Sequence, residues 1–189
     1  MGVFLIPLLI GFALTSASTF TAAFSHRWGE RSGSLVTLIL RVVLGMPLWV
    51  IGLGLAMRTP SATLLTSTLV TDVLGWLMIT AGCVISLLAL LAVRERAAVP
   101  STQDTLVQHG LYAYVRHPLY DGVLLEFAGL ALLSPTRAVV LACAIGIGWV
   151  LVQARLEEVD LLQRLPAYCQ YMNQVPRFLP RFRKKQPTT

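Results

Sequence analysis

Residues Leu69 to Val93, LVTDVLGWLMITAGCVISLLALLAV, form an apolar run of membrane length whose one charge is Asp72. A helix that crosses a bilayer needs about 20 predominantly apolar residues, within a range of roughly 17 to 25. This run meets that requirement without help from its flanks, so it predicts a transmembrane helix. Toward the amino terminus, Leu35 to Met57 contains only Arg41, and Val3 to Phe24 carries no charge. Toward the carboxy terminus, Leu119 to Leu133 is shorter and holds Asp121 and Glu126, and Ala138 to Gln153 is uncharged. Ser134-Pro135-Thr136 between the last two is a turn signal, so Leu119 to Gln153 reads as a membrane helical hairpin, a packed pair.

Composition agrees with this reading. The chain is 56% hydrophobic and 13% charged, against about 25% charged for an ordinary soluble domain. Met1 to Phe24 lacks the basic start of a signal peptide and its apolar stretch exceeds the usual 7 to 15 residues, which predicts a retained first helix. The expected fold is therefore an all-α integral membrane protein with five transmembrane helices, the last two a helical hairpin, followed by a cytoplasmic carboxy-terminal amphipathic helical segment. Two regions result: residues 1–93 as a three-helix membrane part, and residues 94–189 as the part that carries chemistry.

Charge orients the bundle. With five crossings, Arg27, Arg31, Arg94, Arg96, Arg116 and the tail from Arg155 through Lys185 fall on one side, and only Arg58 and Arg137 on the other. Basic loop residues are enriched on the cytoplasmic face, which places the amino terminus outside and the carboxy terminus inside. Four crossings would destroy the asymmetry. The net charge of +6 is concentrated at the basic end, Arg181 to Lys185, where anionic lipid headgroups would attract it. No soluble domain presents a basic face to nucleic acid. Cys83 and Cys143 lie in predicted spans and Cys169 in the tail, without Cys-x-x-Cys or Cys/His ligand spacing; they read as small hydrophobes, and no metal site is expected.

Two polar clusters flank the hairpin on the cytoplasmic side. One is Arg116, His117 and Tyr120 with Tyr112 and Tyr114; the other is Arg155, Glu157, Glu158 and Asp160, directly after the fifth span. The hairpin leaves from the first and returns to the second, so the two should meet in space and form one pocket. Such a pocket suits a cationic, polar ligand with an aromatic part: carboxylates hold hydroxyls or offset a cation, and Tyr rings stack on a base. Pro118 fixes the chain direction where the hairpin enters the membrane. The alternative is that Arg and Tyr are interfacial anchors, with Glu157, Glu158 and Asp160 on the solvated face of an amphipathic helix whose apolar side is Leu156, Val159, Leu162 and Leu165.

The order of motifs adds a resemblance. Leu106-Val107, Gly110-x-Tyr112, Arg116-His117-Pro118-x-Tyr120, Glu157-Glu158, Tyr168-x-x-Tyr171 and Arg177-Phe178-Leu179-Pro180 together resemble the isoprenylcysteine carboxyl methyltransferase family and the related phospholipid N-methyltransferases. The likeness covers Thr105 to Arg181. It departs from the family in Asp104-Thr105, where a His is frequent, and in Gln153, where a basic residue is frequent.

The resemblance implies an integral membrane methyltransferase that uses S-adenosyl-L-methionine at a cytoplasmic site. By position, Leu106, Val107, Tyr112, His117, Pro118 and Tyr120 would line the cofactor pocket, Glu157 and Glu158 would bind its polar groups, and Arg155, assisted by Arg116, would position the acceptor. The acceptor would be a lipophilic small molecule or lipid entering from the bilayer, with a carboxylate as the first expectation and a lipid amine as the alternative. A carboxylate needs no general base, whereas an amine must lose a proton, to His117 or to a carboxylate such as Glu126 or Glu158. Glu126 is also an intramembrane acid, hence either a catalytic group or a packing hydrogen bond. Gly52-x-Gly54 and Gly146-x-Gly148 are expected to permit close helix packing. A non-enzymatic scaffold would bind no cofactor, and a transporter would need a polar path that Arg41, Asp121 and Glu126 alone scarcely supply.

Overall fold

The computed structural model describes residues 2–93 and 104–180. Arg94, Arg96, the Pro100-Ser101-Thr102 link and the basic end from Arg181 to Lys185 lie outside the described residues. Among the described residues all regular structure is helical: α1 (Leu5–Ala17), α2 (Thr21–Trp28), α3 (Glu30–Leu38), a π-helical segment (Ile39–Gly45), α4 (Met46–Arg58), α5 (Leu69–Val93), a 3₁₀ turn (Gly110–Ala113), α6 (Pro118–Leu133), α7 (Arg137–Arg164) and α8 (Tyr168–Gln174). Three helices are long and apolar enough to cross a membrane, Glu30–Arg58, α5 and α7, and the bent pair α1 and α2 makes a fourth if counted as one span. The protein is a membrane protein.

The first predicted span is not straight. The chain turns by 62° between α1 and α2, and the sequence there is Ser16-Ala17-Ser18-Thr19, without Gly or Pro. Ser18 Oγ donates to the Thr15 carbonyl at 2.5 Å and Thr19 Oγ1 to the Ser16 carbonyl at 2.6 Å. Hydroxyls that bond the backbone in this way compete with the helix ladder. A second break, at Gly29 (φ +83°), separates α2 from α3.

The second span is continuous but locally widened. Pro47 has no N–H to give the Val43 carbonyl, and in an α-helix its ring would crowd that carbonyl. The turn before it is π-helical, with the Met46 N–H reaching the Arg41 carbonyl. Widening of this kind re-satisfies the backbone at a proline inside a membrane helix.

Glycines set the closest helix approaches. A Cβ at Gly82 would stand 2.6 Å from the Gly122 carbonyl oxygen, and one at Gly129 2.7 Å from that of Gly75. The heptad spacing 75/82 on α5 and 122/129 on α6 lets the two antiparallel helices meet backbone to backbone. The expected hairpin of α6 and α7 exists, yet α6 packs more intimately against α5, because the small residues face that way. The expectation for the two Gly-x-Gly motifs holds for one member of each. Gly52 abuts the Leu8 backbone and Gly146 the Phe127 ring, while Gly54 and Gly148 face open space.

The fifth predicted span, Ala138 to Gln153, continues as one helix to Arg164. Thr136 caps it, accepting from the Val139 N–H. Glu157, Glu158 and Asp160 therefore stand on a rigid extension of a core helix. The phase is the reverse of a solvated acidic face: Glu158 and Asp160 are buried, and Val159 and Leu162 are exposed. The expected amphipathic tail is reduced among the described residues to the short α8, which buries Tyr168 and Tyr171.

Inside the bundle, Phe12 stacks on Trp149 with centroids 4.4 Å apart. Beside this pair a polar chain runs from Trp149 Nε1 to Ser16 Oγ, from Ser16 Oγ to Gln153 Oε1, and from Gln153 Nε2 to Thr19 Oγ1. Gln153 is fully buried, and its amide bonds the Ser16 and Thr19 hydroxyls beside the α1–α2 break.

Candidate active site

Helix α7 meets the segment 104–120 where its acidic turn emerges from the bundle. Gly110 (φ +62°) opens the 3₁₀ turn that presents Tyr112, and Pro118 starts α6 directly after His117. The tail returns to the same place. Arg116 and His117 donate their backbone N–H groups to the Pro176 and Arg177 carbonyls at 2.9 and 3.2 Å, and Tyr171 Oη donates to the Tyr112 carbonyl at 2.6 Å.

Glu158 organises this junction. Its carboxylate accepts from Arg116 at 2.9 Å, from His117 Nε2 at 3.2 Å and from both Nε and Nη2 of Arg177. Since a carboxylate accepts only, Nε2 of His117 carries the proton, and Nδ1 is the nitrogen turned to Glu157, 4.0 Å from Oε2. The Glu158 hydrogen bond and charge raise the Arg177 pKa above its ordinary value. His117 also stacks on Tyr120, with centroids 5.5 Å apart, and meets Phe178 at 6.2 Å.

In front of this junction opens a cleft of about 960 Å³, counted together with the open solvent at its mouth. Leu106, Val107, Tyr112, His117, Tyr120 and Glu157 line it. Arg116 also lines it, and donates from Nη1 to the Met172 carbonyl at 2.7 Å. Two polar atoms at this cleft are buried without a hydrogen-bond partner, Arg116 Nε and Tyr168 Oη. Burial holds the phenols of Tyr112 and Tyr168 well above the usual tyrosine range, and that of Tyr171 at about 12 against the opposing pull of Arg116. All three are neutral donors at physiological pH.

Four of the expected site residues stand elsewhere. Pro118 and Glu158 are buried behind the lining, where Glu158 positions His117 and Arg116. Glu126 lies between α5 and α6, accepting from Ser86 Oγ at 3.1 Å; this is the packing hydrogen bond. Arg155 is exposed on the outward stripe of α7 with Leu151, Val152, Val159 and Leu162. It is two positions from Glu157, about 200° around the helix, so it points away from the cleft that Glu157 faces.

Charged residues outside the expected binding set also line the cleft, Asp104, Asp160, Arg164 and Arg41 among them. Asp160 accepts from the Ala22 N–H at 2.9 Å and from Arg164 Nε, and Arg164 reaches Asp104 at 3.4 Å, tying α2 to α7 and to the 104–107 segment. Arg41, from the π-helical segment, also lines the cleft. Its Nε donates to Ser18 Oγ at 3.1 Å and its Nη2 lies 3.5 Å from Glu157 Oε1. Among the described residues no group of His, Cys, Asp and Glu is arranged to hold a metal ion.

The sequence model of the phospholipid methyltransferase family matches residues 40–166, from the π-helical segment to just beyond α7. The chain belongs to the phospholipid methyltransferase family. The protein is thus a membrane methyltransferase, and the matched span contains Arg41, the 104–120 segment and the acidic turn of α7. No curated protein and no solved structure matches the chain.

Proposed function

We propose that the protein transfers a methyl group from S-adenosyl-L-methionine to a lipophilic acceptor drawn from the bilayer, in the cleft between α7 and the 104–120 segment. The observation that carries this reading is the junction of His117, Arg116 and Glu157 around a cleft that holds two buried polar atoms without partners. A polar cofactor fits there. Tyr168 Oη and Arg116 Nε are donors for its oxygens or ring nitrogens, Glu157 offsets its positive charge, and Leu106, Val107 and Tyr112 offer apolar and aromatic surface to its adenine. When bound, the cofactor would supply an electrophilic methyl on a sulfonium, which these residues would hold beside the acceptor.

The protein's part is alignment and exclusion of water. Glu158 fixes the His117 ring from behind, which turns Nδ1 toward the cleft; in the neutral imidazole this nitrogen carries the lone pair. An amine acceptor requires such a base, and a family described by phospholipid substrates favours the amine; Nδ1 takes the proton that the amine loses. A carboxylate acceptor would leave His117 with a positioning role alone. The membrane arrangement belongs to the same proposal: five crossings, with α6 as the short fourth and the bent α1–α2 as the first, the amino terminus outside and the cleft on the cytoplasmic side.

The test is transfer of radiolabelled methyl from S-adenosyl-L-methionine into a lipid extract by the purified protein in nanodiscs. We expect lipid-soluble label that survives mild alkali, as an N-methyl group does. Label released by alkali as methanol would identify a carboxylate acceptor, and no label in any lipid would contradict the proposal.

A further inference from the structure

Arg41 is the one charge of an otherwise apolar run, and the cleft gives it a use. The residues around it on the same helix, Ile39, Val42, Val43 and Leu44, are exposed large hydrophobics, as expected of a wall that faces lipid. The π-helical widening ahead of Pro47 lies at Arg41 itself, and the Arg41 side chain is 15% exposed, turned into the cleft rather than out to the bilayer. Val93 and Leu119, both apolar, also line the cleft. Arg41 meets the α7 side of the cleft at Glu157.

Helix α5 packs against α6 and the 3₁₀ turn, the 30–58 helix packs against α1, α2 and α7, and α6 packs against α7. Val93, at the end of α5, and Arg41 thus line the cleft from different helices.

We infer that Arg41 binds an anionic oxygen group of the methyl acceptor, a phosphate or a carboxylate at the head of a lipid, and so sets which lipids the cleft accepts. The inference rests on the methyltransferase reading of this cleft. The guanidinium is a planar fork that matches either anion in two-point fashion. Ser18 Oγ accepts from Nε and Glu157 lies 3.5 Å from Nη2, contacts that hold the guanidinium in the cleft. In an amine phospholipid the phosphate held by Arg41 would place the amine, a few bonds away, beside Glu157 and His117.

The experiment is native mass spectrometry of the delipidated full chain in detergent, with dioleoylphosphatidic acid, oleate and dioleoylglycerol as probes, and S-adenosyl-L-methionine titrated separately into the same preparations. We expect the two anionic lipids to be retained at least about tenfold better than dioleoylglycerol, the scale of a charge-assisted hydrogen bond. Arg41→Gln should abolish that preference and Arg41→Lys keep part of it, with cofactor binding to both variants still detectable. A preference for phosphatidic acid over oleate identifies phosphate as the source, and the reverse identifies carboxylate. Equal retention of all three probes by the unaltered protein overturns the inference even if Arg41→Gln fails to fold. So does an Arg41→Gln protein that keeps lipid preference, or one that loses cofactor alone. Absence of cofactor binding to the unaltered protein strikes the methyltransferase reading instead, and is read in a separate titration.

Discussion

Glu158 accepts from three side chains at once, and its carboxylate is buried with Arg116 and His117. Glu158→Gln would leave two guanidinium groups facing a neutral amide, and breaking a buried ion pair from one side costs about 3–5 kcal/mol. We expect a large fall in the thermal unfolding midpoint in detergent; a midpoint within a degree of the unaltered protein would show that the cluster contributes nothing. Tyr168 behaves oppositely. Its hydroxyl is buried without a partner, a situation that costs folding about 1–3 kcal/mol. Tyr168→Phe should leave the unfolding midpoint unchanged or raised while weakening cofactor binding roughly fivefold, about the worth of one neutral hydrogen bond. Loss of stability together with unchanged binding would rule out its proposed contact. Some of this was readable in the residues: spacing alone placed Arg116, His117 and Glu157 at one site. The roles of Glu157 and Glu158 were not separable, because adjacent helical residues differ by about 100° in direction and only the packing of α7 decides which one faces the cleft. Arg155 was misplaced for the same reason, and Arg41 was passed over because one charge in an apolar run carries no sign of the proline-driven widening that turns it inward.

Helices α5 and α6 form the tightest seam of the fold, and glycine makes it possible. A Cβ at Gly122 would stand 2.2 Å from Ser86 Oγ and 2.6 Å from the Gly82 carbonyl oxygen, so one of the two backbones must move. Gly122→Leu is expected to destabilise by about 1–3 kcal/mol or more through overpacking. Gly148→Ala, where nothing lies within 4 Å, should be neutral or stabilising by up to about 1 kcal/mol from helix propensity. Unfolding midpoints of the two variants check the contrast, and equal effects would contradict it. The apolar runs announced α5 and the 30–58 helix, whereas Ala138 to Gln153 was short for an independent span and α7 gains its length by continuing to Arg164. What they did not announce was the bend at Ser18-Thr19, since hydroxyl-to-backbone bonding depends on the partner carbonyls and not on the residue type alone. Nor did they reveal that α7 stays helical to Arg164, since its last turns lose apolar character where Glu158 and Asp160 pair with basic groups.

Across the whole molecule, an apolar bundle carries a polar cleft beside the end of α7, and family membership makes the protein a membrane methyltransferase; that this cleft is the place of transfer is our proposal. The composition declared the membrane, and the order of motifs from Leu106 to Pro180 declared the chemistry, because both are written in residue types. The acceptor is not written there: the wall that we propose selects it brings together Arg41, Val93 and Leu119, which are 26 or more positions apart in sequence and meet only in the fold. The most direct measurement is calorimetric titration of S-adenosyl-L-methionine into the detergent-purified protein and into a His117→Ala, Glu157→Ala double variant. Saturable one-to-one binding that disappears in the folded double variant is the predicted result. No binding to the well-folded unaltered protein, or binding that the double variant retains, would contradict the assignment of this cleft.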